Sequence, residues 1–202
     1  MIAIATVPRS GSRYTSLYGF LSGGMVCHEK TPMGRFGRAN GLVGYLFVEW
    51  PDQPMGTIGR EQQLFPSWLV TRRWQQVRHP LRCIASIPTA QRSAMRRMYT
   101  RLGIPAAVPI AQAAMLWLEW NQFIETFSEW TYRVEDLRPG TDVADRFRIE
   151  MDLPEEPLEI PRDMNTRPHE PLTWEWLQAL VGKRLVRDIK ELGRHYGYEI
   201  EP

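Results

Sequence analysis

The sequence predicts an α/β domain, a three-layer fold with a mainly parallel central sheet flanked by helices. Three observations predict it. Short β-forming runs (Ile2–Val7, Leu42–Trp50, Trp74–Val77, Trp130–Val134) alternate with stretches of helical periodicity. The first run passes through one turn, Pro8-Arg9-Ser10-Gly11-Ser12-Arg13, straight into a helix. The strongest periodicity, Ala111 to Glu129, lines Ala113, Leu116, Trp117, Trp120, Phe123, Ile124 and Phe127 on one face, as a helix packed on a sheet requires.

Taken in order, Tyr14, Leu17, Tyr18 and Leu21 share a helix face, and Ser22-Gly23-Gly24 closes that helix. Met25–Cys27 reads as a second strand, Thr31–Asn40 as a loop, and Leu42–Trp50 as a third strand ended by Pro51. Residues 51–67 read as irregular. Trp74–Val77 is a strand, and Pro80 opens a helix at a first-turn position where its missing N–H costs nothing. Pro88 breaks that helix; residues 89–102 then set Arg92, Arg96, Arg97 and Arg101 at helical spacing, the pattern of a solvated basic face. After Trp130–Val134, residues 138–171 are acidic, proline-rich and predicted irregular. Two helices divided by Gly182 end the chain, the second carrying Leu185, Ile189, Leu192 and Tyr196. The 202 residues, 43% hydrophobic, read as one domain.

Composition narrows the function classes. The opening apolar run is too short for a signal peptide or a membrane span, so a cytoplasmic location is expected. Cys27 and Cys83 form no C-x-x-C pair, which disfavours both a disulfide framework and a thiolate zinc site. The net charge of +2 conceals a division: residues 1–118 hold 14 Lys+Arg against 4 Asp+Glu, and residues 119–202 hold 11 against 19. The basic side is almost all arginine, which suits bidentate contact with phosphate or carboxylate; the two halves neutralising one another is the competing reading. With lysine only at 30, 183 and 190, nucleic acid is a poor partner.

A strand–turn–helix aims backbone N–H groups and a helix N-terminus at one point, which makes an anion site. In a parallel sheet that point lies at the carboxyl edge, where ligands bind. Arg9 supplies a forked cation, Ser10 and Ser12 hydroxyls, and Gly11 close backbone approach; Arg13 and Tyr14 follow at the helix start. A plain βα turn that binds nothing is the alternative. Two other segments fall at strand ends: Cys27-His28-Glu29-Lys30, and Val77-Arg78-His79-Pro80-Leu81-Arg82-Cys83-Ile84-Ala85-Ser86.

These motifs resemble those of the sulfotransferases that use 3′-phosphoadenosine 5′-phosphosulfate (PAPS). Pro8–Ser12 is similar to that family's loop for the 5′-phosphosulfate. Val77–Ser86 is similar to its 3′-phosphate motif, an arginine followed eight positions later by a serine. Order and separation both fit. Arg133–Leu137 and Tyr196-Gly-Tyr198 resemble further, less specific family segments. The resemblance implies the P-loop-like sulfotransferase fold and a sulfuryl donor, PAPS, with no metal. It implies that Arg9 contacts the 5′-phosphate and the leaving-group oxygen, with Ser10, Gly11, Ser12, Arg13 and Tyr14 around it. Arg78 and Ser86 would hold the 3′-phosphate. Glu29 matches the glutamate base of the tyrosylprotein branch, with His28 and Glu49 as lesser rivals; the histidine base of the cytosolic branch has no match.

The departures are specific. Arg13 stands where a second Ser or Thr is usual, and Val134 where a tyrosine often touches adenine; Tyr132 is a possible substitute or a core residue. The lysine- and glycine-rich lid is missing, and Arg162–Arg167, with Arg167 as its cofactor contact, is the nearest candidate. The acceptor, a small molecule, peptide or carbohydrate bearing a hydroxyl or amine, would be read by the loops 31–41, 51–66 and 103–109. A P-loop-type kinase lacks its loop lysine and strand-end aspartate here. A non-catalytic nucleotide- or anion-binding module is the third reading.

Overall fold

In the computed structural model the described residues are 2–28, 41–44, 70–90, 92–157, 160 and 170–201. Five strands form one sheet: β1 (Ile2–Thr6), β2 (Val26–His28), β3 (Gly41–Gly44), β4 (Arg72–Val77) and β5 (Trp130–Arg133). Their order is β2-β3-β1-β4-β5 and every pairing is parallel, with Ile2 opposite Gly41 on one side and Arg72 on the other. The chain leaves central β1 for one edge, returns through β3, and then crosses to the other half. The order therefore reverses at β1, and the carboxyl ends of β1 and β4 border the crevice where parallel sheets bind ligands.

Strand alternation separates two cores. Ile2 and Ile4 of β1, Trp74 of β4 and Tyr132 of β5 face α1 (Ser12–Leu21) and a later helix, α5 (Asp142–Glu150). There Tyr18, Trp74, Tyr132 and Phe147 pack edge-on or tilted, with Phe147 at the centre. Ala5, Val7 and Val77 face the other layer, made of α2 (Pro80–Ser86), α3 (Arg92–Arg101), α4 (Pro109–Glu125), α6 (Trp174–Val181) and α7 (Lys183–His195). The alanines of β1 leave room for Trp117 and Trp120, both buried, and Trp120 Nε1 donates to the Thr6 carbonyl at 3.0 Å. On the opposite layer, a methyl added at Gly19 would overlap Val26, so α1 lies close against β2.

The predicted alternation and the parallel sheet agree with this architecture. Strands β1, β2 and β5 differ by one residue at one or both ends, and four larger differences have a structural reason. β4 begins at Arg72, because Arg73 pairs with Ala3 at the sheet's amino edge. α4 ends at Glu125, since the chain must turn to let Glu129 N–H reach Arg73 O at 2.8 Å. Pro88 lies in a 3₁₀ turn, Ile87–Thr89, which continues directly from α2. The stretch 138–171, predicted irregular, contains α5. Thr141 caps it by accepting from Ala144 N–H at 3.2 Å, and Ala144 and Phe147, with Met151 just beyond it, are buried along one face. The surrounding prolines and acids masked that short apolar stripe. No described helix is long and apolar enough to cross a membrane.

Candidate functional site

The turn after β1 is fixed by its backbone. Ser10 N–H returns to Val7 O at 3.1 Å, Arg9 takes φ +71, and Gly11 takes φ +88. Gly11 is required twice over. An L side chain is strained at that φ, and an added Cβ would meet Val134 Cγ2 at 2.8 Å, where the end of β5 abuts the turn. The first hydrogen bond of α1 is Thr15 N–H to Gly11 O, at 3.1 Å. The N–H groups of Ser12, Arg13 and Tyr14 precede it at the positive end of the helix dipole, and no acidic residue occupies that first turn.

Side chains from β4, from α2 and from the link between them meet three consecutive carbonyls of the turn. Cys83 Sγ lies 3.5 Å from Pro8 O, Arg78 Nη1 donates to Arg9 O at 2.9 Å, and Gln76 Nε2 donates to Ser10 O at 2.5 Å. Among the described residues no peptide is cis. In a trans peptide C=O and N–H point oppositely, so carbonyls held toward β4 and α2 leave the N–H of Arg9 and Gly11 directed away from them. That polarity suits an anion and would repel a cation.

The two predicted phosphate motifs meet. Arg9 Nε donates to Ser86 Oγ at 3.0 Å, across the crevice between β1 and β4, and Arg78 donates to the Arg9 carbonyl. Arg9 and Arg78 are half-buried and Ser86 is buried at the end of α2. Glu135, just past β5, accepts from His79 N–H at 3.0 Å and from Tyr198 O–H at 2.9 Å. The carboxylate thus holds the start of α2 and the C-terminal segment together. Asp136 instead pairs with Arg133 at 2.5 Å.

Other expected roles change. Ser10 is fully buried: its hydroxyl lies 3.4 Å from Cys83 Sγ and its N–H is bonded within the turn, so it shapes the turn and does not offer its hydroxyl at the mouth. Burial pushes the Cys83 thiol up to about 11, so it stays protonated at neutral pH. Ser12 Oγ stands 2.8 Å from His28 Nε2 at the end of β2. Burial, reinforced by the Arg13 charge, pushes His28 down to about 4, which keeps the imidazole neutral. Arg13 itself is exposed, and Tyr14 packs against the α1–α5 core. Tyr132 is buried with its hydroxyl donating to Gln76 Oε1 at 2.9 Å, so it is a core residue and offers no face to adenine. Glu29, Lys30, Glu49, the segment 162–167 with Arg167, and the loops 31–40 and 51–66 lie outside the described residues. Arg96 of α3 is exposed.

Sequence reasoning missed Gln76, Cys83 and the Glu135–Tyr198 contact. A signal existed for the first: Gln75-Gln76 places two amides inside a strand that is buried on both faces. Among the described residues no group of three or more His, Cys, Asp or Glu is placed to hold a metal ion. No protein-family model, curated protein or solved structure matches this chain. The functional reading therefore rests on the residues and their geometry.

Proposed function

We propose that the protein is a PAPS-dependent sulfotransferase that moves a sulfuryl group to a hydroxyl or amine acceptor. The observation that supports this most is the contact of Arg9 with Ser86 and Arg78, which joins two phosphate-type motifs at one crevice. One phosphate cradle alone would suit any nucleotide. Two cradles, each with its own arginine, suit a ligand with two separated phosphates, and a 3′,5′-substituted adenosine has that form.

The donor set fits such a group. The phosphosulfate supplies the sulfuryl, and the S–O or S–N bond to the acceptor forms as the bridging S–O bond breaks to leave 3′,5′-adenosine bisphosphate. The chain's part is to position and to stabilise charge. Arg9 and the N–H groups of the turn and of the first turn of α1 stabilise the oxygens of the departing phosphate. Arg78 and Ser86 select the 3′-phosphate. Glu29 accepts the acceptor's proton.

The test is turnover. Purified protein is incubated with PAPS and a panel of sugars, phenols, peptides and steroids, and 3′,5′-adenosine bisphosphate is measured. Acceptor-dependent release is expected, abolished in Glu29→Gln with binding of the bisphosphate retained. An active Glu29→Gln enzyme removes that residue as base. A protein that binds the bisphosphate yet never transfers is a binding module.

A further inference from the structure

Two adjacent glutamines occupy the middle of β4, and both are fully buried. Because they alternate, each serves a different layer. Gln75 Nε2 donates to Asn121 O and Tyr196 Oη, and Gln75 Oε1 accepts from Thr131 Oγ1, which joins α4, β5 and the C-terminal segment. Gln76 reaches the turn. Its Nε2 donates to Ser10 O at 2.5 Å, and its Oε1 accepts from Tyr132 O–H at 2.9 Å and from Thr15 Oγ1. The partners fix which end is which. A carbonyl only accepts, so the NH₂ faces Ser10, and both hydroxyls donate to Oε1. A glutamate here, when ionised, would still accept from the hydroxyls but would repel Ser10 O, whereas the protonated acid could donate to it as the amide does. A methionine would take the donor from Ser10 O and the Oε1 acceptor from both hydroxyls.

We propose that Gln76 is a positioning residue that fixes the direction of the Ser10–Gly11 peptide and so aims Gly11 N–H at the anion. This rests on the reading of the turn as an anion site. Reversing that peptide changes only Ser10 ψ and Gly11 φ, and glycine accepts either sign of φ at little cost. Gly11 is thus the point at which the turn can invert, and inversion would present a carbonyl to the anion. The amide at 76 removes that alternative by holding Ser10 O inward. Thr15 and Tyr132 hold the amide in turn, so α1, β4, β5 and the turn share one buried hydrogen-bonded unit.

The experiment follows the Gly11 amide by NMR in protein labelled with ¹⁵N-glycine, which gives 15 resonances at most. Wild type, Gln76→Glu, Gln76→Met and Thr15→Val are each titrated with inorganic sulfate and with 3′,5′-adenosine bisphosphate. In wild type the Gly11 proton resonance should move downfield and saturate. In Gln76→Glu it should fail to move and binding should weaken about tenfold or more, the scale of a lost buried partner. Gln76→Met should weaken binding less, because it removes the preference without reversing it. Thr15→Val, which leaves the Ser10 contact intact, should keep the Gly11 response. The remaining glycine resonances report whether each variant is native; if Gln76→Glu does not fold, Gln76→Met decides. A folded Gln76→Met with the wild-type Gly11 response and affinity overturns the proposal; Gln76→Glu overturns it in the same way when its side chain is ionised. So does a wild type in which other amides respond and Gly11 does not. No response anywhere in wild type overturns the anion-site reading itself.

Discussion

Arg9 and Ser86 are 77 positions apart in the chain and 3.0 Å apart in the fold, Nε to Oγ. The parallel sheet creates that meeting, because the carboxyl ends of β1 and β4 are neighbours and each is followed by a helix on the opposite layer. Arg78 adds a second link through Arg9 O. Ser86 and Arg78 therefore differ in what their loss should do. Ser86→Ala removes one hydrogen bond and should cost about 0.5–1.5 kcal/mol of stability. Arg78→Ala removes a cation and leaves a loop carbonyl unpartnered. It should weaken binding of 3′,5′-adenosine bisphosphate about tenfold or more while changing 5′-AMP binding much less. Calorimetric titration of both nucleotides against both variants checks this.

Gly11→Ala should be among the most damaging single methyl additions in the chain. The left-handed φ and the 2.8 Å approach to Val134 together should cost about 2–4 kcal/mol. Adding Val134→Ala should recover the share due to the clash and leave the backbone share. Urea denaturation of the two single variants and the double separates the terms; a fully additive cycle would show that Val134 is not what crowds Gly11.

Acid should destabilise the fold earlier than carboxylate titration alone would. His28 is pushed down to about 4 and His79 is also lowered, in both cases chiefly by burial. Between the ordinary histidine value near 6.5 and the lowered one, the unfolded chain binds a proton that the folded chain does not. The stabilisation is thus complete above about pH 6.5 and is lost as pH falls toward about 4. His28→Gln should flatten that limb of a Tm-against-pH profile. An unchanged profile would show that His28 is not held neutral by its site.

Much of this was legible in the sequence for a physical reason. Periodicity reports which side chains must be buried: Ile2–Val7, an apolar run, is buried throughout, and the Trp117/Trp120 stripe is buried on the face it names. The turn after β1 was legible because its backbone restricts residue type at Gly11. What stayed hidden depends on partners distant in sequence. Ser10 reads as a ligand hydroxyl until Cys83, 73 positions later, is seen beside it. Tyr132 reads as a stacking platform until Gln76 takes its hydroxyl. The helix α5 was obscured because Phe147 finds its partners, Tyr18, Trp74 and Tyr132, on three other elements. Glu135 reads as a strand-end cap, and only the fold brings Tyr198 to it.

We propose that the crevice between β1 and β4 reads two phosphates on one adenosine. Thermal shift with 3′,5′-adenosine bisphosphate, 5′-AMP and ATP at equal concentration is the decisive measurement, since a ligand raises Tm according to its affinity for the folded state. The bisphosphate should raise Tm well above 5′-AMP and ATP. An equal rise with ATP, or no rise with any of the three, would overturn the proposal.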